Sequence, residues 1–323
     1  MRCIICGENS QPSLEHIISE VLGNKKFTIR SICERCNNLL GTKVDSYLSD
    51  YLLVKIMREA EDIPTKSGKK VYAFDGNHRS EDGVLFQRKY GEIKLIPVPE
   101  DTPNGIRLSV SSDDLKSGFA VARKKLKHMK KTDGTIYSPS EIDDIINYAT
   151  ISEPQETDLH TKIDASIDLI RYSLAFIKIA YEYASKIFGE CYWEDKTGTE
   201  LRHFLYKATT LERSEIADYF TPIEIRSFVK LFDNELSEQL IFKYDKLVSD
   251  RIRHSLLLFE SKNNLFCQIS LFRAGISSAT VLISKDAQKL AHMFGEICHL
   301  VLILADGTVL DTSETEFLYS RLR

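Results

Sequence analysis

Two Cys-x-x-Cys pairs, Cys3/Cys6 and Cys33/Cys36, bracket the first stretch of this chain. No other feature restricts the fold as strongly. Each pair offers two sulfurs from one tight turn, and Zn²⁺ takes four such ligands in a tetrahedron. The residues between the pairs must then form a small insert. Leu14 to Ile18 and Phe27 to Ile32 read as short strands about a Gly23-Asn24 turn, and the pattern turns helical from Glu34. With four sulfur ligands the site is closed. It stabilises the fold and leaves no position open for chemistry.

The chemistry is expected inside the insert. "LEHII" at 14–18 sets an acid directly before a histidine. A carboxylate oxygen on Glu15 suits a hard cation such as Mg²⁺. His16 suits a general base, since histidine is the side chain that ordinarily titrates near neutral pH. Asn37 follows the last cysteine at the start of the predicted helix, and its amide oxygen can be a second ligand. Asn38 and Asp45 are alternative ligands. Adjacent strand residues point to opposite sides, so Glu15 and His16 share one site only if the strand ends or kinks there. Lys25, Lys26, Arg30 and Arg35 surround these residues and can meet phosphates.

Cys-x-x-Cys, Glu-His-Ile-Ile and Cys-x-x-Cys-Asn, in this order, resemble the HNH endonucleases of ββα-metal fold. The resemblance covers roughly Cys3 to Asp45. It implies that His16 is the general base for water attack on a scissile phosphate. It further implies that Glu15 and Asn37 hold one catalytic cation. Two positions depart from the pattern. Where many members carry an Asn late in the second strand, this chain reads Thr28-Ile29-Arg30-Ser31, so Ser31 or a backbone group would hold His16. Where many carry a His four residues after the Asn37 position, this chain has Gly41. That disfavours a His-rich centre and favours Mg²⁺ or Mn²⁺.

The rest of the chain reads as mixed α and β. Residues 65–111 look β-rich with a turn near Tyr90-Gly91. A helix from Leu115 carries Arg123, Lys124, Lys125, Lys127, Lys130 and Lys131 on its polar face. "SPSE" at 138–141 and "TPIE" at 221–224 are capping boxes with proline at the first helical position. The longest helix is expected from Ile163 to Phe188, central and largely buried, with Lys178/Glu182 and Asp164/Asp168 as surface charges. Helices are also expected at 198–208 and 235–245. "HSLLLF", "LFCQISLF" and "ATVLIS" after Arg253 have strand length. "HLVLILADGTVL" reads as a hairpin about Asp306-Gly307.

The expected fold is thus α+β. A zinc-stapled HNH domain at 1–60 precedes a larger α+β region at 61–323, with a long central helix and room for two subdomains. The 323 residues, 43% hydrophobic and 28% charged, suit soluble domains. The net charge of −4 is unlike that of a small basic DNA-binding protein. No apolar run reaches the roughly 18 residues that span a bilayer. No secretory leader opens the sequence, so a cytoplasmic location with reduced thiols is expected. Cys191, Cys267 and Cys298 read as isolated apolar residues. The expected activity is metal-dependent hydrolysis of DNA, or of RNA, in a bacterial defence or restriction-type system. One centre cuts one strand, so double-strand cutting would need two protomers or two binding events. The competing class is a non-catalytic zinc module that binds nucleic acid or protein. A third reading is a nuclease gated by a C-terminal sensor.

Overall fold

The computed structural model describes residues 1–102, 105–131, 134–153, 158, 160–161, 166–236, 251–294 and 299–313. The chain opens with an antiparallel hairpin, β1 (Pro12–His16) and β2 (Thr28–Cys33). Gly23 adopts a left-handed conformation (φ 93°) in the connecting loop, which a residue with a Cβ disfavours. Helix α1 (Glu34–Leu40) follows directly and runs through a π turn (Gly41–Asp45) into α2 (Ser46–Asp50). Helix α3 (Leu52–Ala60) completes the segment.

Residues 72–165 form a compact unit of their own. It holds a three-stranded sheet of β3 (Gly76–Arg79), β4 (Leu85–Lys89) and β5 (Glu92–Leu95), plus a ribbon of β6 (Glu100–Thr102) and β7 (Gly105–Arg107). Tyr90 and Gly91, both at positive φ, make the β4–β5 turn. Helix α4 (Leu115–Leu126) carries Arg123, Lys124 and Lys125 of the basic face, while Lys127, Lys130 and Lys131 follow its end, and α5 (Pro139–Asn147) starts at the Ser138–Glu141 capping box. The basic face is partly neutralised within the unit. Arg123 pairs with Asp143, Lys125 with Asp101 and Lys131 with Glu141.

Residues 1–71 and 166–323 make the other unit. A division at residue 60 does not coincide with this arrangement. The first segment shares one core with the C-terminal part, because Ile17, Ile18, Leu22 and Phe27 are buried there with the residues of a long helix. That helix, α6 (Leu169–Phe188), starts six residues later than the apolar pattern suggested. Asp168 is its cap: the carboxylate accepts from the backbone of Ile170 and Arg171, and an N-cap residue is not itself helical. All residues from 172 to 185 are buried, the pattern of a helix enclosed on every side.

Then follow α7 (Glu190–Trp193), α8 (Lys196–Thr210), α9 (Ile216–Tyr219) and α10 (Pro222–Arg226), the last with its capping box. The remaining strands are β8 (Val229–Leu231), β9 (Ile252–Ser261), β10 (Asn264–Leu271), β11 (Ser278–Ser284), β12 (His299–Leu304) and β13 (Val309–Ser313), with α11 (Ala287–Phe294) after β11. They form one antiparallel sheet in the order β13-β12-β9-β10-β11-β8. The helix expected at 235–245 falls on residues outside those described from 237 onward, as does Cys298. Cys267 is buried and Cys191 half-buried. No helix among the described residues is long and apolar enough to cross a membrane.

Candidate active site

The cysteine pairs come together as their spacing requires. The sulfurs of Cys3, Cys6, Cys33 and Cys36 all lie within 4.8 Å of one another. Backbone N–H groups point at them: that of Cys33 donates to Cys3 Sγ and that of Cys36 to Cys33 Sγ, each at 3.4 Å. Such donors stabilise thiolates. The Cys3 thiol is pushed down to about 4, chiefly by a hydrogen bond from Cys36. Cys36 is raised, first by the same bond and then by burial. Four sulfurs this close cannot all ionise without a cation between them. The donor set therefore fits a Zn²⁺ ion.

The Asn37 amide closes the hairpin onto the helix. Its Nδ2 donates to Ser13 Oγ at 3.1 Å and to the Leu14 carbonyl at 3.0 Å, and Ser13 in turn donates to the Ile32 carbonyl. Among the described residues its Oδ1 accepts nothing. Asn37 thus clamps the strand one residue before Glu15 and keeps one oxygen free.

The sequence marks Asn24 only as part of a Gly-Asn turn, yet it organises the loop after His16. It is fully buried. Its Nδ2 donates to the Ile18 and Phe27 carbonyls, and its Oδ1 accepts from the backbone of Lys26 and Phe27. The side chain pairs with four backbone groups, of which the Phe27 carbonyl also accepts from the Ile17 N–H. Ser31 or a backbone group is expected to hold His16; the Ser31 hydroxyl makes no hydrogen bond among the described residues, and Asn24 orders the loop that follows. The signal was the Gly-Asn dipeptide, which marks a loop but does not say which way the amide turns.

Glu15 and His16 diverge as strand neighbours do. Glu15 is 5% exposed and turns inward to α6, where Lys178 Nζ donates to its Oε1 at 2.5 Å. His16 is half-exposed, pairs across the hairpin with Thr28, and its imidazole makes no hydrogen bond among the described residues. No hydrogen bond joins Glu15, His16 and Asn37 to one another. Glu15 and His16 end β1, and Asn37 reaches that strand from α1 through Ser13 and Leu14. Lys25, Lys26, Arg30 and Arg35 are all exposed and unpaired among the described residues. Lys186 of α6 also reaches this edge, donating to the Thr28 carbonyl at 3.3 Å.

Lys178 and Glu182 are not surface charges. Both are 0% exposed, because α6 is enclosed on all sides and offers them no solvated face. Asp45, which the π turn brings inward, lies 3.0 Å from Lys178 Nζ, and Glu182 lies 3.4 Å away. Burial opposes the charge on Lys178, but Asp45, Glu182 and Glu15 together outweigh it and hold the ammonium well above its usual range. Burial also pushes the Glu182 carboxyl well above the carboxylate range. That favours a proton on Glu182 and reduces the surplus of negative charge.

A family model described as HNH endonuclease matches residues 3–53. The match spans both cysteine pairs, the β1–β2 hairpin and α1, so the N-terminal part of this chain is an HNH domain. No curated protein and no solved structure matches the chain.

Proposed function

We propose that the protein is a divalent-cation-dependent endonuclease that cuts DNA phosphodiesters at the end of the β1–β2 hairpin. The observation that carries this reading is the unengaged His16 imidazole, set on a hairpin clamped by Asn24 and Asn37 within an HNH domain. His16 takes the proton from the attacking water. Asn24 and Asn37 fix the backbone on either side of it, so the imidazole is presented without reorganisation. Lys25, Lys26, Arg30 and Arg35 meet the flanking phosphates. The four cysteines hold structural zinc.

Glu15 and Asn37 would hold the catalytic cation. Each keeps one oxygen free of hydrogen bonds among the described residues, and oxygen donors of this kind suit Mg²⁺ or Mn²⁺. Bound there, the cation supplies Lewis-acid stabilisation of the charge on the phosphorane-like state and on the departing 3′ oxygen. The products are 5′-phosphate and 3′-hydroxyl ends. A nuclease domain joined to a larger region of different fold suits a defence or restriction-type effector, with the larger region for targeting or sensing.

The test compares wild type with His16→Ala on supercoiled DNA in Mg²⁺. Removing a general base costs about 10²–10⁴-fold in rate. Lost nicking with unchanged DNA binding supports the reading. Equal nicking by both proteins sinks it and leaves the zinc-module alternative.

A further inference from the structure

Lys178 lies far outside the matched residues 3–53, on α6, yet it reaches both members of the Glu15-His16 pair. Its Nζ donates to Glu15 Oε1 at 2.5 Å and to the His16 carbonyl at 3.4 Å. Asp45 Oδ2 and Glu182 Oε2 approach the same nitrogen at 3.0 and 3.4 Å. An ammonium has three N–H groups, and four oxygens surround this one. The side chain is wholly buried, so water cannot replace any of these partners. The position of Nζ is therefore fixed from several sides. Glu15 is left with Oε2, which has no hydrogen-bond partner among the described residues.

We propose that Lys178 is a positioning residue of the nuclease centre. By engaging Glu15 Oε1 it sets the carboxylate plane and presents Oε2 to the divalent cation. By donating to the His16 carbonyl it fixes the strand end from which the imidazole projects. Carboxylates that ligate metals are commonly held in this way by a second polar group. Asp45 and Glu182 hold the ammonium rather than the cation. It follows that residues 3–53 do not contain the whole centre, because α6 supplies part of it. This inference rests on the nuclease reading for its purpose, but its test does not depend on cleavage.

The experiment is Mn²⁺ binding to the full, zinc-loaded chain without DNA, followed by the electron paramagnetic resonance of free Mn²⁺. Lys178→Met is expected to weaken Mn²⁺ by about 10–100-fold, the usual effect of removing such a support. Lys178→Arg, which keeps a charged donor, recovers part of the loss. In a Glu15→Gln background Lys178→Met has no further effect, since it acts through Glu15. Unchanged or tighter Mn²⁺ binding by Lys178→Met overturns the proposal. Tighter binding would mean that the ammonium competes with the cation. If Lys178→Met does not fold, Lys178→Gln is measured instead. It places a neutral, shorter amide at this position, removes the ammonium that engages Glu15 Oε1 and weakens Mn²⁺ in the same direction; wild-type affinity there overturns the proposal. A chain that binds Mn²⁺ in a Lys178-dependent manner but never nicks DNA loses the nuclease reading and keeps this one.

Discussion

The first hairpin is tied down at two places by opposite means. At one end, four cysteines from residues 3–36 gather their sulfurs within 4.8 Å of one another. At the other, Glu15 and Asp45 close on Lys178, which arrives from more than a hundred residues away with Glu182 beside it. The cysteine knot is anionic and must import its cation. The lysine knot is built with its cation in place. The first is therefore sensitive to chelation and oxidation. The second answers only to mutation and pH. The difference teaches where autonomy ends. All four ligands of the cysteine knot lie within residues 3–36, but the knot beside His16 cannot form without α6.

The largest expected effect comes from breaking the cysteine knot. Structural zinc contributes on the order of 10 kcal/mol to small zinc modules. That is comparable to the whole stability of an ordinary domain, about 5–15 kcal/mol. Cys33→Ser, or a strong chelator on wild type, should release the metal and unfold β1, β2 and α1. Hydrogen exchange should show lost protection over residues 3–50. Retained protection there would mean that packing on α6 suffices and that the two knots are not equal partners.

A smaller effect should appear on the non-local side. The hairpin loop is also held from the sheet. His254 of β9, fully buried, donates through Nε2 to the Leu22 carbonyl at 2.9 Å. Its Nδ1 accepts from the backbone of Phe272 at 3.3 Å, so the neutral ring is the one that fits. Burial is the main reason that its pKa falls to about 3. The folded pKa lies below the unfolded one for a base, so between pH 6.5 and 3 the unfolded chain binds the extra proton. Stability from this group is complete above pH 6.5 and is lost as pH falls, by about 1.4 kcal/mol per unit. Urea titrations of zinc-loaded protein at pH 6.5 and 5.5 should differ by about 1 kcal/mol from this group, because the unfolded histidine is already half protonated at pH 6.5, and His254→Gln should abolish that share. An unchanged slope in the variant would mean that other groups set the acid sensitivity.

The two knots also differ in how far the sequence discloses them. Cys3, Cys6, Cys33 and Cys36 are close in the chain and bound by a fixed spacing, so their meeting could be read directly. Both capping boxes are local in the same sense, and both appear. Apolar periodicity runs on N-terminal of Asp168, but the side-chain cap at Asp168 sets the start of α6. Lys178 and Glu182 looked like an exposed pair because i,i+4 charges usually are. Their partners, Glu15 and Asp45, come from a distant part of the chain that no local pattern connects to α6. The one available hint was that α6 is apolar nearly all round, which leaves no face for a solvated charge. Asn24 was hidden differently. Its position was legible, but its four hydrogen bonds depend on a loop closed by residues on both sides.

The smallest effect lies between the knots, at Gly41. It begins the π turn that carries the chain from the cysteine-bearing α1 to Asp45. Its backbone is right-handed helical (φ −57°, ψ −41°), so glycine is not needed for conformation. A Cβ built there meets nothing within 4 Å. Glycine in a helical interior costs about 0.5–1 kcal/mol relative to alanine, mainly through the freedom of the unfolded chain. Gly41→Ala should therefore raise stability by about that amount in a urea titration, with Mn²⁺ binding unchanged. Should it instead weaken Mn²⁺ binding, the π turn must flex for Asp45 to hold Lys178. The two knots would then be mechanically coupled through this one residue.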